Sequence, residues 1–469
     1  MGISRTDSDK RTFIVATIVL VLLVFVKTLL HPIILLDDLW NYNVCRAFAM
    51  GYIPYRDYNM VMMPLFIWVF SIPLRFVRTF FCYRIFSALF LSIVAVSVYQ
   101  TAKESTDSRW GFVVGTSFVL LMDVATYNGI ILIIVALLFR YFCKGVNSKK
   151  TAVIIGIICA LSVLCRQTTG VFLTIAVFIL MFRNKEYRKY MIQFIASWTA
   201  VMICFAGYLL CTGSFMQFWD YCLFALFAPG QSTAAFYFNS LVSLVLIALG
   251  VVCDILLIKE HSDNEDKLHL LFGLMLASIG IPVVDVMHLF YAGVWFIVPI
   301  IKKLLFADKG KSLISPMLVN MITVGICACI LFLSAYDMAG MKYSDKYREF
   351  RYLPAPGDFL DGYGKIADIS DNYRAAGKNV VMFSSCTVVV SIIDEEFRPP
   401  YDLFLTGNLG SRSPLSYAEE ACADRNNVIV IPDTYNEENW TNPDGILEYV
   451  QEHCEPVESY ANFTWYVPR

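Results

Sequence analysis

From Phe13 to Tyr336 the chain alternates long apolar runs with short polar connections. The first run, Phe13 to Leu36, follows a polar stretch, residues 1–12, that ends in Lys10-Arg11. At 1.5 Å per residue it is long enough to cross a hydrocarbon core ~30 Å thick. No small-residue cleavage site follows it, so it reads as a retained signal anchor with a cytoplasmic N-terminus. Further runs fall near residues 64–80, 83–100, 110–124, 129–143, 151–165, 170–182, 191–211, 237–258, 268–284, 287–305 and 313–335. Several are shorter than the ~20 residues of a standard span. After Tyr336 the pattern changes: residues 340–469 are rich in Asp, Glu, Asn, Pro and Gly and hold no run long enough to span. There the pattern predicts helices over 364–377, 414–424 and 444–452 and strands from Asn379 to Ser384 and Asn427 to Ile431, a small soluble α/β domain.

Composition narrows the class. Of 469 residues, 58% are hydrophobic, 15% aromatic and only 16% charged, with mean hydropathy +0.60. A soluble domain carries about 25% charged residues. The 37 Lys plus Arg against 39 Asp plus Glu give a net charge of −2, without the basic excess of a nucleic-acid binder. The chain is therefore an α-helical polytopic membrane protein. Most of its 14 Cys, among them Cys143, Cys159, Cys204 and Cys253, sit in apolar runs where a thiol packs as a small hydrophobe. Cys386, Cys422 and Cys454 lie in the polar C-terminal segment. A Cys422–Cys454 bridge, which needs an oxidising compartment, and free buried thiols are both open there.

Lysine and arginine orient the bundle, since short cytoplasmic loops collect positive charge. Four loops stand out: Lys144/Lys149/Lys150, Arg183/Lys185/Arg188/Lys189, Lys259/Lys267 and Lys302/Lys303/Lys309/Lys311. Two apolar runs separate each from the next, so all four share the cytoplasmic side and the run 313–335 delivers residues 340–469 outside. Parity then requires an odd number of crossings between residues 64 and 100, where two runs are visible. Either 64–80, interrupted by Pro73, lies in the outer interface, giving about eleven spans, or a boundary is misread, giving about thirteen.

With that orientation the ionisable residues at outer membrane ends are Asp37/Asp38, Arg56/Asp57, Asp123, Arg166, Asp220, and Asp285 with His288. Charges at membrane depth are costly and are usually functional or paired. Adjacent carboxylates at the start of a long outer loop suit a general base with a second acid holding a metal or a hydroxyl. The plainer reading is that Asp37-Asp38 cap a helix running from Leu39 to Met50. Asp285 and His288 are three residues apart and share a helix face, fit either for a phosphate, sugar or cation or for an ordinary helix-end pair. Arg166, in Leu164-Cys165-Arg166-Gln167-Thr168-Thr169-Gly170, is placed to fork a lipid phosphate or simply to snorkel. Arg56-Asp57 reads equally as a local ion pair. No Gly-rich phosphate loop, Gly-x-Ser-x-Gly or His-Glu-x-x-His occurs, so ATP-driven, serine-hydrolase and zinc-protease readings lack support.

The stretch Asp37-Asp38-Leu39-Trp40-Asn41, then Gly51-Tyr52-Ile53-Pro54-Tyr55-Arg56-Asp57-Tyr58 and Met63-Pro64-Leu65-Phe66, resembles the first outer loop of GT-C membrane glycosyltransferases. It is most similar to bacterial members related to protein O-mannosyltransferases and the lipid A aminoarabinose transferase. Met122-Asp123, the Arg166-Gln167-Thr168 helix start and Asp285-Val286-Met287-His288 fit the same series, and Tyr401-Asp402 through Gly407-Asn408-Leu409-Gly410 extends it into the C-terminal domain. Asp37-Asp38 stands where the usual pair is Asp-Glu, and Met63-Pro64 where it is Pro-Pro.

The resemblance implies a GT-C-like bundle over 13–336, with first outer loop 37–63, and an exofacial domain over 340–469. It implies inverting transfer of a sugar from a polyprenyl-phosphate carrier to a cell-envelope glycan, lipid or protein acceptor, in the cell membrane, with the C-terminal domain extracellular or periplasmic. Asp37 would be the base, Asp38 and Asp123 its supports or ligands of a divalent cation (Mg or Mn), and Arg56, Arg166, Asp285 and His288 the donor-phosphate site. A secondary transporter or lipid-linked-sugar flippase is the competing class, since it too has a charged cavity. Against it stand the absence of a visible internal repeat and the clustering of charge at one membrane face.

Overall fold

The computed structural model describes residues 7–33, 36–123, 127–227, 235–261, 263–281, 283–305, 314–384, 386–395, 408–432 and 445–469. In chain order, α1 (Asp7–Leu30), α2 (Leu36–Ala49), α3 (Leu65–Leu74), α4 (Phe80–Ser105), α5 (Ser108–Leu121) and α6 (Tyr127–Lys144) open the fold. Next come α7 (Lys149–Cys165), α8 (Gln167–Arg183), α9 (Lys185–Arg188), α10 (Met191–Thr212) and α11 (Phe215–Cys222). They are followed by β1 (Ala235–Phe236), α12 (Leu241–His261), α13 (Asn264–Ala277), β2 (Val283–Val284), α14 (Val286–Leu305) and α15 (Pro316–Asp337). The C-terminal region holds β3 (Met341–Tyr343), β4 (Pro354–Pro356), α16 (Phe359–Ala375), β5 (Asn379–Met382) and α17 (Cys386–Ile393). It ends with α18 (Pro414–Ala423), β6 (Asn427–Pro432), α19 (Ile446–His453), β7 (Cys454–Tyr460) and β8 (Phe463–Pro468).

Contacts divide these elements into two compact units. The first comprises Met1–His31, Arg84–Cys204 and Ala234–Ala339. Its helices are apolar nearly all round, the composition of helices that face lipid or a large core. Ile14, Ile18 and Leu22 of α1 and Met317, Met321 and Phe332 of α15 stay exposed, an arrangement that water would penalise and hydrocarbon does not. Among the described residues, seven helices are long and apolar enough to cross a membrane, and Leu65–Leu74, Ser108–Leu121 and Gln167–Arg183 are shorter apolar helices. Helix starts carry the expected caps: Asp107 accepts from the backbone N–H groups of Arg109 and Trp110, and Ser148 from that of Thr151. The α7–α8 hairpin needs Gly170, because a Cβ there would stand 2.3 Å from the backbone nitrogen of Val163.

Two cations of this unit, Lys27 and Arg84, end on helix carbonyls. Lys27 donates to the carbonyls of Val119 (3.0 Å) and Leu120 (2.6 Å), in the last turn of α5. Arg84 donates to Thr28 (2.7 Å) and His31 (3.0 Å), at the end of α1. Each satisfies carbonyls that a helix leaves without internal partners and lies at the negative end of its dipole.

The second unit is assembled from Pro32–Tyr83, Phe205–Thr233 and Gly340–Arg469. Its sheet has the order β5-β6-β8-β7, with β5 parallel to β6 and the other pairs antiparallel. Strand β6 is buried along its whole length, and its alternate residues enter two cores. Ile429 and Ile431 pack with Phe383, Leu409 and Ile446, whereas Val428 and Val430 pack with Met382, Val390 and Trp465. The expected strands and helices of this region are present, and five elements are additional: β3, β4, α17, β7 and β8. Strand β7 is an edge with nearly every residue exposed, so it carries no inward-outward alternation for a pattern to reveal. Helix α3 has ten residues, or about 15 Å at 1.5 Å per residue, and does not reach across a hydrocarbon core.

Candidate active site

Asp37 and Asp38 stand in the first turn of α2, where the helix dipole favours carboxylates. Consecutive helix positions point in directions about 100° apart. Asp37 is accordingly exposed, while Asp38 is 1% exposed. A helix is present here as expected, but it starts at Leu36, so the two acids lie inside its first turn instead of capping it, one exposed and the other facing the interior.

The rest of α2 is anchored by a buried polar centre that no motif marks. Arg46 is fully buried; it donates to the Asn43 side chain (3.1 Å) and to the Ser391 carbonyl (3.2 Å), with its Nε 3.8 Å from Glu349. Tyr42 donates to the Arg78 carbonyl (2.8 Å) and to the Glu349 carboxylate. Burial pushes the Glu349 carboxyl above its ordinary range, opposed by the Tyr42 hydrogen bond and the Arg46 charge. Burial also raises the Tyr42 phenol, and the Glu349 charge adds to it. Glu349 was invisible as a partner because Tyr347-Arg348-Glu349-Phe350 reads as an ordinary solvated stretch.

The loop after α2 explains the Gly-x-x-Pro-Tyr-x-Asp motif. Gly51 has φ +102°, a left-handed conformation natural to glycine, and Tyr55 adopts φ +69°. Asp57 accepts from the Ile53 backbone N–H (2.7 Å) and from Arg56 Nε (2.7 Å) and Nη2 (2.9 Å). The Arg56 hydrogen bond holds the Asp57 carboxyl below its usual range against the opposing effect of burial, and the Ile53 N–H adds to it. Arg56 therefore forms the local ion pair that was one of its two readings, with its side chain 44% exposed. Asn408 clamps the loop from a remote segment: its carbonyl accepts from Asn59 (2.8 Å) and its side chain from the Val61 N–H (3.0 Å). The matching residues Tyr401 to Gly407 lie outside the described residues. An open cleft of about 520 Å³ is lined by Met50, Gly51, Tyr52, Asp57 and Arg78. Arg78, exposed at its edge, is a cation that stands outside every motif of the sequence.

In the first unit, Asp285 immediately precedes α14 and caps it: one carboxylate oxygen accepts from the His288 N–H (2.7 Å) and the other lies 2.7 Å from His288 Nδ1. The opposite nitrogen, Nε2, is 3.4 Å from the Tyr127 hydroxyl. In the neutral ring this geometry puts the proton on Nδ1 and leaves Nε2 as the acceptor. Arg166 links α7 to α8, with Nη1 on the Asn128 side chain (2.9 Å) and Nη2 on the Ile279 carbonyl (2.6 Å). It is thus held by protein contacts in a fixed fork, a different state from a side chain snorkelling to the interface. Asp123 is half-buried, next to residues 124–126, which lie outside the described residues. The structure thus joins Asp285 to His288, and Arg56 to Asp57. Asp37, Asp38 and Arg56 belong to the second unit; Asp123, Arg166, Asp285 and His288 belong to the first.

Among the described residues no group of three or more His, Cys, Asp or Glu is disposed to hold a metal ion.

This is a GT-C-like fold: a polytopic helical membrane protein with a small C-terminal sheet region. No protein-family model matches the sequence, and no curated protein matches it significantly. The oligosaccharyltransferase of Archaeoglobus fulgidus in its apo form superposes with a TM-score of 0.56 at 11% identity, over 90% of this chain and 69% of that one. The same archaeal protein in complex with Zn and sulfate gives 0.50 at 10% identity, over 96% and 73%. The mycobacterial arabinofuranosyltransferase AftD aligns at 0.47 and 10% identity, over 98% of this chain and 40% of that one. The likeness to the archaeal oligosaccharyltransferase is one of fold.

Proposed function

We propose that the protein is an inverting glycosyltransferase that moves a sugar from a polyprenyl-phosphate carrier to a cell-envelope acceptor at the outer face of the cell membrane. The observation that carries this reading is the acidic pair at the start of α2, directly after the first span, with Asp37 open to solvent and Asp38 buried beneath it, in a GT-C-like fold. Asp37 takes the proton from the acceptor hydroxyl as that oxygen attacks the anomeric carbon. The bond from that carbon to the carrier phosphate breaks on the opposite face, so polyprenyl phosphate leaves with its electron pair and the anomeric configuration inverts. Asp38 supports Asp37 by fixing the first turn of α2.

The leaving phosphate gathers negative charge, which fixed cations stabilise. Arg56 and Arg78 in the second unit, and Arg166 and His288 in the first, are the groups proposed for that role, each testable separately. His288 serves it only as the imidazolium, with Asp285 retaining the Nδ1 proton and Nε2 donating. Asp123 is proposed as a further support.

The proposed orientation places the N-terminus in the cytoplasm and residues 340–469 outside. Eleven proposed crossings add the shorter helices α5, α7, α8 and α13 to the seven that are long and apolar enough, with the ten-residue α3 in the interface. Lys144, Lys149, Arg183, Lys185, Lys259, Lys302 and Lys303 then fall at or beside cytoplasmic helix ends. Lys309 and Lys311 lie outside the described residues.

The test is incubation of purified protein with a panel of radiolabelled polyprenyl-phosphate sugars and envelope extracts. Transfer of label to an acceptor with release of polyprenyl phosphate is expected. Movement of intact lipid-linked sugar across proteoliposomes without transfer would replace this reading with a flippase.

A further inference from the structure

Cys422 lies in the last turn of α18 and Cys454 opens β7, 32 residues away in sequence, yet their sulfurs stand 3.3 Å apart. A disulfide needs about 2.05 Å between sulfurs and α-carbons roughly 4.4–6.8 Å apart, so a contact of this kind requires only a small side-chain adjustment. Both thiols belong to one apolar core: Cys454 is fully buried among Phe383, Leu409, Ile431 and Ile446, and Cys422 packs at its margin. Burial raises the Cys422 thiol far above its ordinary range and the Cys454 thiol as well. A pair that ionises so reluctantly reacts slowly with small oxidants and depends on a catalyst.

We propose that Cys422 and Cys454 form a disulfide once the C-terminal region enters an oxidising, extracytoplasmic compartment, stapling α18 to the edge strand β7. The inference rests on the outward orientation proposed for residues 340–469. In the reaction the two thiols lose two protons and two electrons as the sulfur–sulfur bond forms. The electrons reduce the disulfide of a thiol–disulfide oxidoreductase to its dithiol. The bond closes a loop containing β6 and α19, restricting the unfolded chain and protecting the exposed strand β7 from fraying.

Two measurements on the full-length chain test it. Cells are acid-quenched, free thiols are blocked with N-ethylmaleimide, and the membranes are then reduced and labelled with iodoacetamide for site-resolved mass spectrometry. Cys422 and Cys454 should carry mainly the second label, and Cys422→Ser should move Cys454 to the first. Reduction of the purified protein should lower the unfolding midpoint of the C-terminal region by about 5 °C. N-ethylmaleimide on both cysteines in quenched cells would overturn the proposal, as would failure of the reduced, purified chain to form the bond when given the oxidised form of a thiol–disulfide oxidoreductase. A Ser411→Cys variant labelled with an impermeant maleimide on intact cells separates the causes. Labelling there with Cys422 and Cys454 reduced removes the disulfide and keeps the orientation; labelling only after lysis removes both.

Discussion

The two units bury polar groups by different means. In the helical unit Lys27 and Arg84 end on the last-turn carbonyls of α5 and α1, and Arg166 ends on the Ile279 carbonyl just beyond α13. Helix ends must offer unsatisfied carbonyls somewhere, so a cation close to one finds a partner without another charged side chain. In the second unit the partners are side chains and backbone from opposite ends of the chain: Tyr42 with Glu349, Arg46 with Ser391, Asn59 with Asn408. The first unit thus uses helix-end carbonyls beside side-chain pairs such as His269–Asp254 and Lys302–Asp266, whereas the centre around α2 in the second relies on long-range assembly. A single charged residue is therefore weak evidence of ligand binding in the first unit, and the fate of the acidic pair depends on distant residues in the second.

Breaking the long-range centre should have the largest structural effect. Arg46→Ala leaves Glu349 buried without its cation, and the expected loss is ~3–5 kcal/mol of stability, seen as a lower thermal midpoint in detergent. Replacing both partners by apolar residues, Arg46→Met with Glu349→Leu, should recover most of it. Equal stability of Arg46→Ala and wild type would remove the centre from the account of the second unit.

Next in size is Gly170→Ala. The new methyl meets the α7 backbone, which has no rotamer to yield, so a cost of ~1–3 kcal/mol is expected in the helical unit. A wild-type midpoint in that variant would show that the hairpin opens freely.

Arg166→Lys tests how the helical unit holds a cation. Lysine keeps the charge but cannot span Asn128 and the Ile279 carbonyl together, so the stability loss is that of one hydrogen bond, ~0.5–1.5 kcal/mol. If Arg166 also holds the carrier phosphate, affinity for polyprenyl-phosphate sugar falls roughly ten- to a hundredfold. Unchanged donor affinity with reduced stability assigns the residue to helix termination alone.

The smallest effect concerns Asp57. Its folded carboxyl titrates below the ordinary 3.8, chiefly through Arg56. Its contribution to the loop is therefore present above about pH 4 and lost as pH falls through the depressed folded value. Amide exchange at Ile53, corrected for intrinsic rate, should accelerate below pH 4, and Asp57→Asn should weaken the loop at neutral pH. Exchange unaffected by either change would separate the carboxylate from the turn.

Much of the architecture was legible because membrane helices and buried strands announce themselves locally. The run from Phe13, the helix after Asp37-Asp38 and the strand β6 all follow from composition and periodicity over a few residues. Edge strand β7 escaped, since exposed positions such as Glu455 and Glu458 alternate with nothing. The candidate site was legible as residues and illegible as geometry. Adjacent acids gave no hint of which would be buried, and Asp285-Val286-Met287-His288 gave spacing but not the cap that joins its ends. Nothing near Glu349 pointed back 307 residues to Tyr42, because such a contact exists only after the chain has assembled.

The central claim is that Asp37 performs proton abstraction in sugar transfer. Its most direct test compares wild type with Asp37→Asn in the rate of label transfer from polyprenyl-phosphate sugar to acceptor, at matched expression and thermal midpoint. Asparagine also serves at a helix start, so folding should be preserved while transfer falls by about 10²–10⁴. Full transfer activity in a folded Asp37→Asn protein would contradict the claim and move the base to another residue.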